Sequence, residues 1–211
     1  MSLFRLDASI MPSTSTSTEL ADVLEAEWSA TRPGEPVVRR HLGTDPLPAD
    51  AWIIATAARF TPEGERTPAQ LDALALAADL TSELTDADAV LLAVPLYNFG
   101  VSQHFKTWVD LVMAGAGTAA DGLLKDKPTV LVTVRGGGYG PGTPREGWDH
   151  STPYLRRILG DVFQSDLTVI ERELTLAATN PAMAGLKDLA AQRHTEALDA
   201  ARHAGRTLAA K

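Results

Sequence analysis

Two apolar runs constrain this chain more than any other feature. "DAVLLAVPLY" (Asp88–Tyr97) and "PTVLVTV" (Pro128–Val134) are apolar at nearly every position. A strand with one face in water alternates polar and apolar residues, whereas a strand covered on both faces is apolar throughout. Around these runs the pattern changes to helical spacing. Leu20, Val23, Leu24 and Trp28 mark one helix, and Leu71, Leu74, Ala75 and Ala78 mark another from Pro68 to about Leu84. Phe105, Trp108, Val109 and Val112 mark a third. Strands alternating with helices imply a parallel sheet with right-handed crossovers and helices on both faces.

The remaining segments extend the alternation. "SLFRLDAS" reads as a first strand, although Arg5 and Asp7 make it less apolar than a central strand usually is. "EPVVRRH" and "DLTVIERE" read as two more strands. Asp45 to Pro48 and Thr61 to Arg66 are loop-like, and Gly115, Gly117 and Gly122 are expected to break up the loop after the third helix. Further helices are expected near Pro153 to Leu159 and from about Pro181 to Leu208. Five strands and about five helices in a single domain over residues 1–211 suggest an α/β three-layer sandwich, a flavodoxin-like sheet of order 2-1-3-4-5. Such sheets bind ligands beyond the carboxyl ends of their strands, near the switch point between strands 1 and 3.

Bulk properties remove several function classes. A formal net charge of −8 argues against nucleic acid or an anionic membrane as the main partner. Zero cysteines remove disulfides, thiol catalysis and cysteine-ligated zinc. No apolar run approaches the ~18–20 residues of a membrane span, and the start of the chain lacks a signal-peptide layout. A soluble cytoplasmic protein is the expectation.

Three loops at the ligand-binding end carry chemistry. After strand 1, "STSTST" (Ser13–Thr18) places hydroxyls and unpaired helix N–H groups together, a ready anion site. The same composition also suits an ordinary helix cap, with Ser17 or Thr18 in that role. The run contains no Lys or Arg and no nucleotide P-loop, which favours a terminal phosphomonoester over a triphosphate. After strand 3, "VPLYNFG" (Val94–Gly100) offers Tyr97, Phe99 and Asn98 to a planar heterocycle. After strand 4, "RGGGYGPGTP" (Arg135–Pro144) allows close backbone approach. One bound molecule would account for all three.

In this order and spacing the residues resemble the FMN-dependent NADH-azoreductase (NADH:quinone oxidoreductase) family. The resemblance implies that Ser9, Ser15, Thr16 and Ser17 hold the phosphate of FMN. It implies that Leu96, Tyr97, Asn98 and Phe99 contact the flavin ring, with Val134, Arg135, Gly136 and Gly137 beside it. Leu96 stands where the family usually has Met, and Val134 where it has Ser. The segments "HFKTWVDLV" and "DHSTPYLRRILGDVF" are also similar to the family. The stretch Ala114 to Asp126 lacks the aromatic residues that cover the substrate in some members.

The resemblance further implies ping-pong hydride transfer from NADH or NADPH, through bound FMN, to quinones, azo compounds or related electron-poor aromatics. It implies a homodimer with active sites at the interface, to which the third helix and the loop after it contribute. No metal is expected, and none of the five histidines has metal-site spacing. His150, next to the Gly-rich loop, is the candidate proton donor, and Asp149 would either orient it or cap the next helix. The alternatives are a flavodoxin-type electron carrier and a pathway-specific tailoring reductase acting on a polycyclic aromatic substrate.

Overall fold

Leu3–Asp7 (β1) is buried along its whole length, including its two charged residues. The computed structural model describes residues 1–211. β1 pairs in parallel with Val37–His41 (β2) on one side and Ala89–Ala93 (β3) on the other. Pro128–Val134 (β4) continues the sheet from β3, and Asp166–Arg172 (β5) closes it. The order is therefore 2-1-3-4-5, all parallel, as the alternating pattern implies. Strand 3 is shorter than its apolar run. Leu96–Tyr97 leaves the sheet and pairs antiparallel with Gly100–Val101 in a small ribbon.

The side chains of successive strand residues point to opposite faces, and each face has its own core. Phe4, Leu6, Val90, Leu92 and Leu131 pack against four helices: Ala51–Ala58 (α2), Pro68–Thr85 (α3), Gln103–Ala116 (α4) and Thr152–Arg156 (α5). Leu3, Leu91, Val132 and Ile170 pack against Thr16–Thr31 (α1) and Lys187–Ala210 (α6). α3 begins with a full capping box, Thr67 and Gln70, followed by Pro68 at the first turn, where its missing N–H costs nothing. α5 continues as a π-helical turn, Arg157–Val162.

Two expectations change. Gly115 does not break a loop; it lies inside α4, where a Cβ would stand 2.2 Å from the Ala77 carbonyl of α3. The apolar face of α4 is spent on the core, since Phe105, Trp108, Val109, Leu111 and Val112 are fully buried. The polar positions of β1 do not weaken it, because Arg5 and Asp7 are buried as a pair.

Candidate functional site

The site begins with the charges beneath it. Arg5 donates to Asp7 at 2.8 Å and meets Asp22 and Glu25 at 2.7 and 3.0 Å. Burial works against the Arg5 charge, but these carboxylates outweigh it and hold its pKa above the ordinary value. Asp7 uses its other oxygen to accept from the Thr18 hydroxyl at 2.9 Å. The hydroxyl run is thus fastened to the end of β1 from below.

Ser15 is the N-cap of α1, accepting from Thr18 N–H at 3.2 Å; the cap is neither Ser17 nor Thr18. The Ser15 and Ser17 hydroxyls bond each other at 3.0 Å. The backbone N–H groups of Ser15, Thr16 and Ser17 have no acceptor in the protein. A helix start with free N–H groups and hydroxyls attracts an anion without any cation. Ser13, Thr14, Ser15 and Thr16 line a cleft of about 510 Å³ there, with Glu19 and Asp22 on its rim.

Ser9 has a different part. It is buried, accepts from Met11 N–H and shares a 3.2 Å hydrogen bond with the Tyr97 hydroxyl. That hydroxyl also accepts from Ile10 N–H at 3.2 Å. Tyr97 therefore ties the loop after β3 to the loop after β1. Gly43, after β2, supports the junction from behind; a Cβ there would stand 2.0 Å from the Ser9 carbonyl oxygen.

Asn98 and Phe99 form the turn of the ribbon, at φ 47° and 69°. Two consecutive positive φ values define a type I′ hairpin turn, which suits Asn first and Gly second. Phe in the second place is strained. The strain holds the Phe99 ring, 38% exposed, at the mouth of the site. The ring meets Trp148 edge-on at 5.5 Å and Tyr139 at 6.5 Å. Arg145 lies 5.7 Å from the ring centres of both Phe99 and Tyr139 and donates to the Tyr139 hydroxyl at 3.2 Å. Sequence reading missed Trp148, Tyr139 and Arg145 as a group. Ala114 to Asp126 has no aromatic residue, and the aromatic group at this end of the sheet comes from Phe99, Tyr139 and Trp148.

The other residues of that loop divide by role. The N–H groups of Gly136, Gly137 and Gly138 have no protein acceptor. Arg135 is buried, and its guanidinium is taken up by Asp149 at 2.7 Å, Glu171 at 2.6 Å, Glu173 at 3.3 Å and Thr152 at 2.8 Å. These partners let it brace the loop. Val134 and Leu96 are buried, Val134 in the core under α1 and α6. Asp149 does not orient His150; it pairs with Arg135 and accepts from Ser151 and Thr152 N–H. His150 is exposed, and its backbone N–H donates to the Phe99 carbonyl at 2.9 Å. Of the other histidines, His41 accepts two backbone N–H groups and His194 meets Glu19.

No helix is long and apolar enough to cross a membrane. An apolar cavity of about 240 Å³ lined by Thr168, Ile170 and Leu208 opens between β5 and the end of α6. It lies near the amino ends of β4 and β5, the wrong end of the sheet for the three loops.

Known proteins match this arrangement. The flavodoxin-like fold family model matches residues 1–201. An FMN-dependent NADH:quinone oxidoreductase of Frankia casuarinae is 37% identical over 204 residues, covering 95% of this chain and 96% of that one. Another, of Kineococcus radiotolerans, is 40% identical over 213 residues, covering 98% and 99%. Among solved structures, an azoreductase from Bacillus anthracis superposes with a TM-score of 0.79 at 20% identity, covering 98% and 99%. An FMN-dependent NADH-azoreductase from the same species, solved in complex with FMN, superposes with a TM-score of 0.73 at 17% identity, covering 97% and 99%. At 37% and 40% identity over nearly their full lengths, the chain belongs with these relatives to the FMN-dependent NADH:quinone oxidoreductase family, on the flavodoxin-like fold.

Proposed function

We propose that the protein is an FMN-dependent NAD(P)H oxidoreductase that reduces quinones, azo compounds or related electron-poor aromatics. The observation that carries this reading is the Leu96–Val101 ribbon. Tyr97 joins it to the hydroxyl loop and Phe99 to the Gly-rich loop, so three ligand-type loops share one mouth. The residues fit FMN. Free N–H groups at Ser15, Thr16 and Ser17 suit a phosphate, and those of Gly136 to Gly138 suit the polar edge of a flat ring. When bound, FMN supplies the hydride-accepting and hydride-donating centre that the side chains lack.

In this reading Ser15, Thr16 and Ser17 hold the phosphate, and Ser9 acts one step removed by fixing Tyr97. Asn98 and Phe99 border the ring, and Arg135 keeps Gly136 and Gly137 in place. Trp148, Tyr139 and Phe99 exclude water on the open side, where donor and acceptor would bind in turn. His150, next to the Gly-rich loop and tied by its backbone N–H to the Phe99 carbonyl, is the proton donor in this reading. The protein works as a homodimer. Its support is four exposed large apolar side chains on and around α2 and α3: Trp52, Ile53, Phe60 and Leu71.

The test is a visible-spectrum titration with FMN, followed by turnover. The expected result is a saturable shift of the flavin bands and consumption of NADH or NADPH with two-electron reduction of a quinone. Absence of any shift overturns the cofactor reading. Bound flavin without NAD(P)H consumption would make the protein an electron carrier.

A further inference from the structure

Three arginines in the protein are buried: Arg5, Arg135 and Arg172. The first two are surrounded by carboxylates. Arg172, at the end of β5 and 8% exposed, has none. Its Nε is a buried donor without an acceptor, and its terminal nitrogens make no ion pair. A buried guanidinium is costly unless something accepts its protons.

The residue lines a cavity of about 350 Å³ between the end of β5 and the start of α6. Lys187 and His194, from the first two turns of α6, line it too, and Ala178 and Ala190 leave it roomy. One carboxylate is near. Glu19 of α1 faces this side but is held by His194 Nε2 at 2.9 Å. Glu19 also lines the hydroxyl-loop cleft, whereas its partner His194 lines this cavity. Glu173, the next residue after Arg172, is bound to Arg135. Burial holds the Arg172 pKa below its ordinary value, with Glu19 only partly offsetting it, as for a cation whose counter-ion is missing.

We propose that this cavity binds a small phosphate-class oxyanion, separately from the hydroxyl loop, with Arg172 as its anchor and Lys187 and His194 in its wall. A guanidinium presents a planar fork of donors that matches two oxygens of such an anion. The lysine adds a mobile third point of charge. The phosphate is either free or part of a larger molecule, and the nicotinamide donors offer a direct comparison, because one of them carries an extra phosphate.

The experiment is calorimetric titration of inorganic phosphate into the full chain in chloride buffer, both alone and saturated with FMN. Saturable binding of one phosphate with a dissociation constant below about 1 mM is expected in both. Arg172→Gln should weaken it about tenfold or more, and Arg172→Lys by less. Lys187→Gln, at an exposed position that leaves the core untouched, should weaken it a few-fold. Competition by NADP⁺ but not NAD⁺ would identify the phosphate as the donor's; competition by neither would identify it as free. Lack of saturation up to about 10 mM, equal binding by Arg172→Gln, or displacement of phosphate by FMN would each overturn the proposal.

Discussion

The Tyr97 hydroxyl lies 3.2 Å from the Ser9 hydroxyl and accepts Ile10 N–H at the same distance. Two loops that are 88 residues apart in sequence are closed together by this one oxygen. Tyr97→Phe keeps the ring and removes the closure. Loss of one neutral hydrogen-bonding group costs about 0.5–1.5 kcal/mol, and more if Ile10 N–H stays dry. FMN affinity is expected to fall by roughly three- to tenfold, with a lowered denaturation midpoint. Flavin fluorescence quenching and a urea curve measure the two effects, and unchanged FMN affinity would disconnect the loops from cofactor binding.

Phe99 is a non-glycine residue at φ 69° whose ring reaches Trp148 and Tyr139. Phe99→Gly relieves the backbone, a gain of up to about 1 kcal/mol, and forfeits aromatic contacts of about 0.5–1.5 kcal/mol each. The aromatic losses exceed the gain by up to about 2 kcal/mol, so the thermal midpoint should fall by a few degrees. Quinone turnover should drop tenfold or more. A large loss of stability with intact turnover would show that the ring serves the fold instead.

Arg135 stands among Asp149, Glu171 and Glu173. Burial pushes the Asp149 and Glu171 carboxyls up. For Asp149 the Thr152 N–H and Arg135 overcome this, and for Glu171 Arg135 and Arg156 do, so both are held below their ordinary values. Carboxyls with depressed folded pKa values stabilise the protein above their unfolded values, and this contribution is lost as pH falls through the folded ones. The thermal midpoint should therefore be steady from about pH 7 to 5 and fall below about pH 4. Arg135→Met strands the carboxylates at neutral pH, costs about 3–5 kcal/mol and flattens the acid side of the profile. Calorimetric melts of both proteins across pH check this.

Much of this architecture is legible in the sequence because its signals are local. β3 and β4 are apolar throughout, and the helices α1, α3 and α4 carry their stripes. α2 was not legible, because "AWIIATAA" is apolar almost all round and has no stripe to find. Nor was the burial of Arg5 and Asp7, whose neutralising partners on α1 are remote in sequence. The three ligand loops could be located by the strands they follow. Their internal division of labour could not. Arg135 reads as a ligand residue by motif, and only the carboxylates of β5 and Asp149 turn it into a brace. Trp148 and Arg145 acquire a role only when the turn at Asn98 carries Phe99 to them.

The exposed surface of α2 and its surroundings makes the assembly testable. Phe60 is 86% exposed and Ile53 67%, and Trp52 and Leu71 are exposed as well. In a dimer that buries this patch, a charge placed at its centre loses its hydration without a partner. Ile53→Glu with Phe60→Glu should shift the sedimentation coefficient from dimer to monomer and leave the melting curve of the monomer cooperative. A wild-type protein that sediments as a monomer at micromolar concentration would remove the dimer.

Ser15 offers the sharpest separation of fold from function at the hydroxyl loop. Its Oγ caps α1, and its N–H is one of the three without an acceptor. Ser15→Ala removes the cap and costs about 1 kcal/mol, so weaker FMN binding in that variant would mix two causes. Ser15→Asp keeps a strong capping residue and adds a charge that favours the helix N-terminus by about 0.3–1 kcal/mol. The same carboxylate would face a phosphate dianion across a few ångströms, where like charges repel by several kcal/mol at the intermediate dielectric of a cleft. The variant is expected to melt at or slightly above the wild-type temperature and to bind FMN at least a hundredfold more weakly. Differential scanning calorimetry and an FMN titration on the same preparation decide it. A stable Ser15→Asp protein that still binds FMN tightly would place the phosphate elsewhere, and the hydroxyl run would then be a helix cap and nothing more.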